Sequence, residues 1–226
     1  MASATAEELE VKNSTESAQT FIDWFYTSVS DRKPLASFYV NSNAKYAAAG
    51  AAADLSINGR VCAKPSDFED LLARQAGVTP AGASNGTTNA AAAAATSSTS
   101  TPTGGSGSGG NNGFRVRYDV DGFDVHVLNP SFRLACPDNI LQRLTPGSAA
   151  YDTTTPAQQK QLQQRMVSLL VQVTGHVQYG AGKDAPRGAF TEVFVLVPNW
   201  DAIGAGARTP RGLRNYLILG QNFRAL

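Results

Sequence analysis

The sequence has few charged residues: Asp, Glu, Lys and Arg make up 16% of its 226 residues, against about 25% in ordinary soluble domains. The 19 basic and 18 acidic residues give a formal net charge of +1, so the chain is not a polycation. Much of the deficit lies in residues 77–113, which contain no charged and no aromatic side chain. Such a segment cannot bury enough apolar area to offset the entropy of ordering. We therefore expect one domain, 1–226, interrupted there by a flexible low-complexity insertion.

Features of membrane, secreted and metal-binding proteins are also missing. No apolar run approaches the roughly 20 residues that span a bilayer, which predicts no transmembrane helix. Residues 1–8 have neither a basic start nor an apolar stretch, so no signal peptide is expected. Cys62 and Cys136 form no Cys-x-x-Cys pair, which favours reduced thiols in a nuclear or cytosolic protein. Asp124 and His126 are too few for a metal site, and no metal or cofactor is expected.

The first half of the chain has helical patterns and one hairpin signal. Apolar residues recur at helical spacing over 18–29, after Asn13 and Glu16 in the spacing of a capping box. A second short helix is predicted to begin at Pro34. An Asn-Gly hairpin at 55–61 and a third helix over 65–75 follow.

The second half is dominated by patterns of long strands. They are predicted at 114–128, 166–179, 190–197 and 216–225. Between the first two lies a polar loop at 136–165, whose end from Thr155 resembles a capped surface helix. Helices followed by long antiparallel strands predict an α+β fold, with helices packed on one face of a curved sheet.

Several stretches resemble the nuclear transport factor 2-like family, in the same order along the chain. They are Phe-Ile-Asp-Trp-Phe-Tyr at 21–26 with Leu-Ala-Ser-Phe-Tyr at 35–39, Ile-Asn-Gly at 57–59 with Phe-Glu-Asp-Leu-Leu at 68–72, the long strand at 171–179, Phe-Thr-Glu-Val-Phe-Val-Leu at 190–196 and Asn-Phe-Arg at 222–224. Each stretch alone is weak evidence for the family, but together the stretches cover most of the chain outside the insertions. The most similar members are small subunits of the heterodimeric mRNA export receptor.

This resemblance implies a strongly curved sheet wrapped into a cone around its helices, and a non-enzymatic function. The implied partners are the matching domain of the receptor's large subunit, Phe-Gly nucleoporins, and RNA or ribonucleoprotein cargo. It also implies a nuclear location, at the pore and shuttling to the cytoplasm, with no membrane association. Two departures stand out: Glu192 replaces the family's glutamine, and residues 180–188 hold only Asp184 where a GTPase-binding homodimer has clustered acids. A homodimeric transport factor nevertheless remains an alternative.

Alternation along the strands predicts which residues face away from the helices. That outer face is a mixture of β-branched, amide and imidazole side chains, which suits a sheet-to-sheet interface better than a solvated surface. The predicted partner-binding residues are Gln172, Thr174, His176, Thr191, Val193, Val195, Ile218 and Arg224. The resemblance implies that Arg224 pairs with a carboxylate of the large subunit; a surface arginine closing a loop of its own domain is the alternative.

Three arginines, Arg208, Arg211 and Arg214, lie within seven residues, and no acidic residue follows Asp201. Such a loop is a candidate contact for RNA phosphates. An ordinary solvated basic loop fits the same residues and is the more common case.

An enzyme is the competing class, because the same fold occurs in small isomerases and dehydratases. Glu192 is predicted to point inward, with Asp23, Tyr39, Asp121 and Asp124 near candidate positions. No acid–base pair at matching spacing stands out, and phenylalanines are expected to fill the cone. A hydrogen-bonded Glu192 in a packed core is the favoured interpretation.

Overall fold

A computed structural model describes residues 6–75, 116–180, 184–204 and 214–225. The predicted insertion at 77–113 lies outside the described residues. The described elements are α1 (Ala6–Ser30), α2 (Ala44–Ala48), β1 (Asp54–Ile57), β2 (Arg60–Cys62), α3 (Pro65–Gln75), β3 (Val116–Asn129), α4 (Asp138–Gln142), α5 (Ala149–Asp152), α6 (Pro156–Gln164), β4 (Ser168–Tyr179), β5 (Arg187–Pro198), α7 (Trp200–Gly204) and β6 (Tyr216–Ala225).

The strands form one six-stranded sheet in the order β2-β1-β6-β5-β4-β3. As predicted, the long strands pair antiparallel. β1 and β6 are the exception and run parallel, so the Asn-Gly hairpin extends the sheet beside the last strand of the chain. The α+β prediction, with helices on a largely antiparallel sheet, is confirmed.

Two helix boundaries differ from the prediction. α1 begins at Ala6, so Asn13 lies inside the helix and the capping-box prediction is wrong; residues 6–12 include several strong helix formers that extend it. After Pro34 the chain makes two 3₁₀ turns, Ala36–Phe38 and Val40–Ser42, instead of one short helix. The α-helical turn comes later, as α2, where the Asn43 side chain accepts hydrogen bonds from the backbone N–H groups of Lys45 and Tyr46.

The inner face of the sheet packs against α1 and the first 3₁₀ turn. Phe21, Phe25, Phe38 and Phe194 meet there, mostly edge to face, with ring centroids 5.0 to 6.0 Å apart. These geometries are the favoured ones for aromatic pairs and add to the burial of apolar area. Aromatic rings thus fill the inner side of the sheet, as the sequence predicted.

A second core lies on the opposite side of the sheet, at one end. The predicted polar loop at 136–165 contains three short helices, of which α4 and α6 bury Ile140 and Leu162 against Val197, Leu217 and Trp200. Because Val197 lies on the same side of β5 as the outward Val193 and Val195, this core covers the end of the outer face. The chain's own helices therefore shield part of the surface predicted to bind a partner.

The ends of these short helices are fixed by hydrogen bonds. The Thr155 hydroxyl accepts from the Gln158 N–H, and the Gln158 side chain accepts from the Thr155 N–H, a capping box that begins α6 where predicted. The Trp200 indole N–H donates to the Leu134 carbonyl at 2.9 Å, which ties α7 to the segment after β3.

Within the described ranges, no helix is long and apolar enough to cross a bilayer. Those same ranges contain no group of three or more His, Cys, Asp or Glu that could hold a metal ion. Cys62 is buried and Cys136 half-buried, and both are free thiols.

Candidate protein interface on the outer sheet face

The central strands place most of the predicted interface residues together on the outer face. On β4, Gln172 and Thr174 are exposed and His176 is half-buried, while the valines that alternate with them are fully buried. On β5, Thr191, Val193 and Val195 are half-buried and alternate with buried residues. The outward direction that alternation predicts is confirmed for these six positions, and their role in binding a partner stays a prediction.

Strand register extends the face beyond the predicted residues. One row crosses all six strands as Val61, Ser56, Asn222, Val193, Gln172 and Asp124. The rows on either side are Arg224, Thr191, Thr174 and Gly122, and Gly220, Val195, Leu170 and His126. Sequence reasoning missed Ser56, Val61 and Asn222, although the buried Leu55 and Ile57 mark the same alternation in β1. Val61 is 73% exposed, so this apolar side chain ends the row at the sheet edge.

Ile218 does not belong to this face, and its prediction is wrong. Val195 pairs with Gly220 but Leu196 pairs with Ile218, so β6 contains one extra residue, Leu219, at a bulge. The bulge reverses the alternation, and Ile218 points inward with no exposed area. Leu219 packs instead toward the second core.

Charged and polar side chains are paired at one end of the face. A bulge in β3 at Asp121 brings its carboxylate to 2.7 Å from His176 Nδ1. Asp119 lies 2.9 Å from Arg117 and 3.6 Å from Arg187. Between this end and the second core, the face consists mainly of Thr, Val, Gln and Asn side chains, and nothing lies within 4 Å of a Cβ placed on Gly122.

Arg224 lies on the open face, exposed, opposite Thr191. A Cβ placed on Gly59 would be 3.1 Å from its guanidinium nitrogen Nη1, so the side chain lies against the Asn-Gly turn. Among the described residues, no carboxylate is within ion-pair distance of it. The structure thus places Arg224 beside a turn of its own domain, and its pairing with a partner's carboxylate stays a prediction.

Arg214 is used within the fold. Its guanidinium carbon lies 3.5 Å from the centroid of the Phe38 ring and 5.5 Å from that of Trp24, and it donates to the Ser37 hydroxyl at 2.9 Å. Partial burial lowers the pKa of this guanidinium below its ordinary value. The prediction of a free RNA-contacting side chain therefore does not hold for Arg214. Arg208 and Arg211 lie outside the described residues.

Glu192 points inward, as predicted, and is 1% exposed. The Tyr26 hydroxyl donates to its Oε2 at 2.5 Å, and Gln221 Nε2 donates to its Oε1 at 2.6 Å. Tyr39 completes the network by donating to Gln221 Oε1 at 2.6 Å. Burial raises the pKa of Glu192 to about 7, against the lowering effect of the two hydrogen bonds.

The other carboxylates considered for catalysis lie elsewhere. Asp23 is exposed on α1 and accepts a hydrogen bond from Gln19. Asp121 and Asp124 are exposed on β3, on the outer side of the sheet. Of the predicted candidates, only Tyr39 joins the Glu192 network, and it is linked to Glu192 by the side-chain amide of Gln221. The structure therefore places none of the other carboxylates considered for catalysis beside Glu192.

A six-stranded sheet with helices packed on its inner side and a partly uncovered outer face is the architecture of the nuclear transport factor 2-like class. No protein-family model and no curated protein sequence matches the chain. Among the solved structures that match, three have a TM-score of 0.65 and 30% identity, over 95% of this chain and 99% of theirs. They are Mtr2, a Sac3N peptide bound to Mex67:Mtr2, and the Chaetomium thermophilum Mex67 NTF2-like domain complexed with Mtr2. The chain belongs to this family and, within it, to the Mtr2 type.

Proposed function

We propose that this chain is the small subunit of a heterodimeric mRNA export receptor and binds the NTF2-like domain of a Mex67-type large subunit. The observation that supports this proposal most strongly is the similarity to Mtr2 along almost the whole chain, in structures that include a Mex67 NTF2-like domain. The site we assign to the partner is the open part of the outer sheet face.

The chemistry of that face supports a protein partner. Its centre combines β-branched side chains with amides and hydroxyls, a composition that packs closely while retaining polar contacts. The adjoining end is already covered by the chain's own second core, so the partner is expected to cover the rows from Gly220 to Arg224. We assign Gln172, Thr174, His176, Thr191, Val193, Val195 and Arg224 to the interface and add Ser56, Val61 and Asn222.

The proposal includes no catalytic role. Glu192 is enclosed by Tyr26 and Gln221 beneath a layer of aromatic rings, so a substrate would have to displace the packed core to reach it. Its hydrogen bonds connect α1 to the two central strands β5 and β6. We assign it to the structural core.

The interface is tested by placing a large charged side chain at its centre. Val193→Arg, in the middle of the six-strand row, is expected to weaken binding to the large subunit's NTF2-like domain at least tenfold, because an unpaired charge would be buried. Thr27→Arg is the matched control, since Thr27 is exposed on α1, on the opposite side of the sheet. Titration by calorimetry measures both. Equal affinities for the two variants would contradict the assignment of the face.

We further propose that the heterodimer binds Phe-Gly nucleoporins and RNA and that the chain is located in the nucleus and at nuclear pores. For RNA, the basic residues left to test are Arg208 and Arg211. Changing both to alanine is expected to lower the heterodimer's RNA affinity and flatten its dependence on salt, because phosphate contacts release counterions. Unchanged affinity at low salt would remove the RNA assignment.

A further inference from the structure

The Asn58-Gly59 turn lies beside Arg224 and contacts the chain on both sides of it. We propose that this turn is a positioning element for Arg224, which fixes the direction of its guanidinium toward a carboxylate on the partner. The inference rests on the proposed function, because it assumes that Arg224 is part of the interface. It adds two residues, Asn58 and Gly59, whose role is to hold the binding group and not to touch the partner themselves.

Asn58 fixes the backbone around Arg224 by two hydrogen bonds. Its backbone N–H donates to the Phe223 carbonyl at 2.8 Å. Its side-chain Oδ1 accepts from the Ala225 N–H, also at 2.8 Å. One residue of the turn therefore holds the residue before Arg224 and the residue after it, close to the end of the last strand, where fraying would otherwise be expected.

The positive φ angles of the turn make this arrangement possible. Asn58 has φ 50° and Gly59 has φ 79°, as in the tight hairpin turns that Asn-Gly favours. Asparagine accepts this backbone conformation more readily than most residues, and it also supplies the Oδ1 acceptor. The same two residues thus form the hairpin and hold the end of β6.

Gly59 leaves the space that the guanidinium occupies. A Cβ at this position would be 3.1 Å from Arg224 Nη1, closer than most side-chain contacts, and 3.9 Å from Cζ, an ordinary contact distance. The long arginine side chain is thereby laid across the turn. A guanidinium held in one direction loses less entropy on binding, and its planar donors suit a carboxylate in two-point contact.

The chain offers two matched controls for a substitution at Gly59. Gly50 and Gly147 also have positive φ, 71° and 84°, but nothing lies within 4 Å of a Cβ placed on either. Asparagine tolerates positive φ, so Gly59→Asn, Gly50→Asn and Gly147→Asn carry similar backbone strain. Only Gly59→Asn places a side chain in the space of the Arg224 guanidinium.

The experiment is a double-mutant cycle on affinity for the large subunit's NTF2-like domain. We expect Gly59→Asn to weaken binding at least fivefold and both control substitutions to change it less than twofold. In an Arg224→Ala background, Gly59→Asn is expected to have no further effect, because its action passes through Arg224. Gly59→Ala, which adds only the Cβ, is expected to act in the same direction but more weakly.

Two results would overturn the inference: an affinity of Gly59→Asn equal to that of the controls, or an equal loss with and without Arg224. The Val193→Arg variant separates this failure from failure of the proposed function. If Val193→Arg abolishes binding while Gly59→Asn does not weaken it, only the role of the turn is wrong. If Val193→Arg also binds normally, the outer face is not the interface.

Discussion

At Glu192, a single carboxyl group is buried with neutral partners only. Tyr26 and Gln221 hydrogen-bond it, and Tyr118 and Tyr39 are the other titratable groups that sense its charge. Burial without a cation raises its pKa from 4.5 to about 7. The folded chain therefore binds a proton more tightly than the unfolded chain. The resulting stabilisation is complete below the unfolded pKa and is lost as the pH rises through about 7.

Glu192→Gln is expected to remove this pH dependence. The wild-type free energy of unfolding should fall by about 3 kcal/mol between pH 4.5 and pH 8 because of this group, and the variant should lack that part of the decline. Above pH 7 the variant is therefore expected to be the more stable of the two. Denaturant titrations at a series of pH values measure the difference. Parallel pH profiles for the two proteins would contradict the assignment.

Gly175 is a second residue whose surroundings lead to a prediction. A Cβ there would lie 2.3 Å from the Asp119 carbonyl oxygen and 2.8 Å from the Phe190 ring. Gly175→Ala is expected to destabilise the fold by roughly 1–3 kcal/mol, because both neighbours are packed in the sheet. Gly122→Ala is the control, since its Cβ would meet open space. Equal midpoints of denaturant unfolding for the two variants would show that the sheet can adjust at Gly175.

At the scale of elements, alternation along a regular strand predicts faces well and fails at a bulge. The outward positions of β4 and β5 could be predicted because every residue in these strands changes sides. Ile218 could not, since Leu219 is an inserted residue that has the same apolar character as its neighbours. A bulge depends on pairing with another strand, and pairing is a property of the folded sheet.

The sequence did not predict the second core, and the reason is different. The segment 136–165 is mostly polar, and its helices have only four to nine residues. Each therefore carries too few apolar residues to show a periodic pattern. Ile140 and Leu162 become core residues only because Val197 and Trp200, far along the chain, provide the surface they cover. The capping box at Thr155 could be recognised because its two residues, Thr155 and Gln158, lie close together in the sequence.

Thr155→Ala is expected to destabilise α6 by about 1 kcal/mol, through loss of the acceptor for the Gln158 N–H. Thr153→Ala is the control, because the Thr153 hydroxyl is exposed and only bonds back to carbonyls of its own helical turn. Amide hydrogen exchange in α6 measures the effect. Equal exchange rates in both variants would mean that the capping box at Thr155 does not stabilise α6.

At the scale of the whole molecule, the low charge content has a structural counterpart. The sheet is buried on its inner side by α1 and the first 3₁₀ turn, and on part of its outer side by the second core, to which α4, α6 and α7 contribute. The remaining outer face has a mainly uncharged centre and is the surface proposed for the partner. A net charge of +1 gives a lone subunit with such a face little protection from association.

The most direct test is the molar mass in solution of the chain co-expressed with the NTF2-like domain of a Mex67-type large subunit. Light scattering coupled to size exclusion is expected to give one complex with one copy of each chain. A stable homodimer of this chain, with the large-subunit domain eluting separately, would contradict the proposed function.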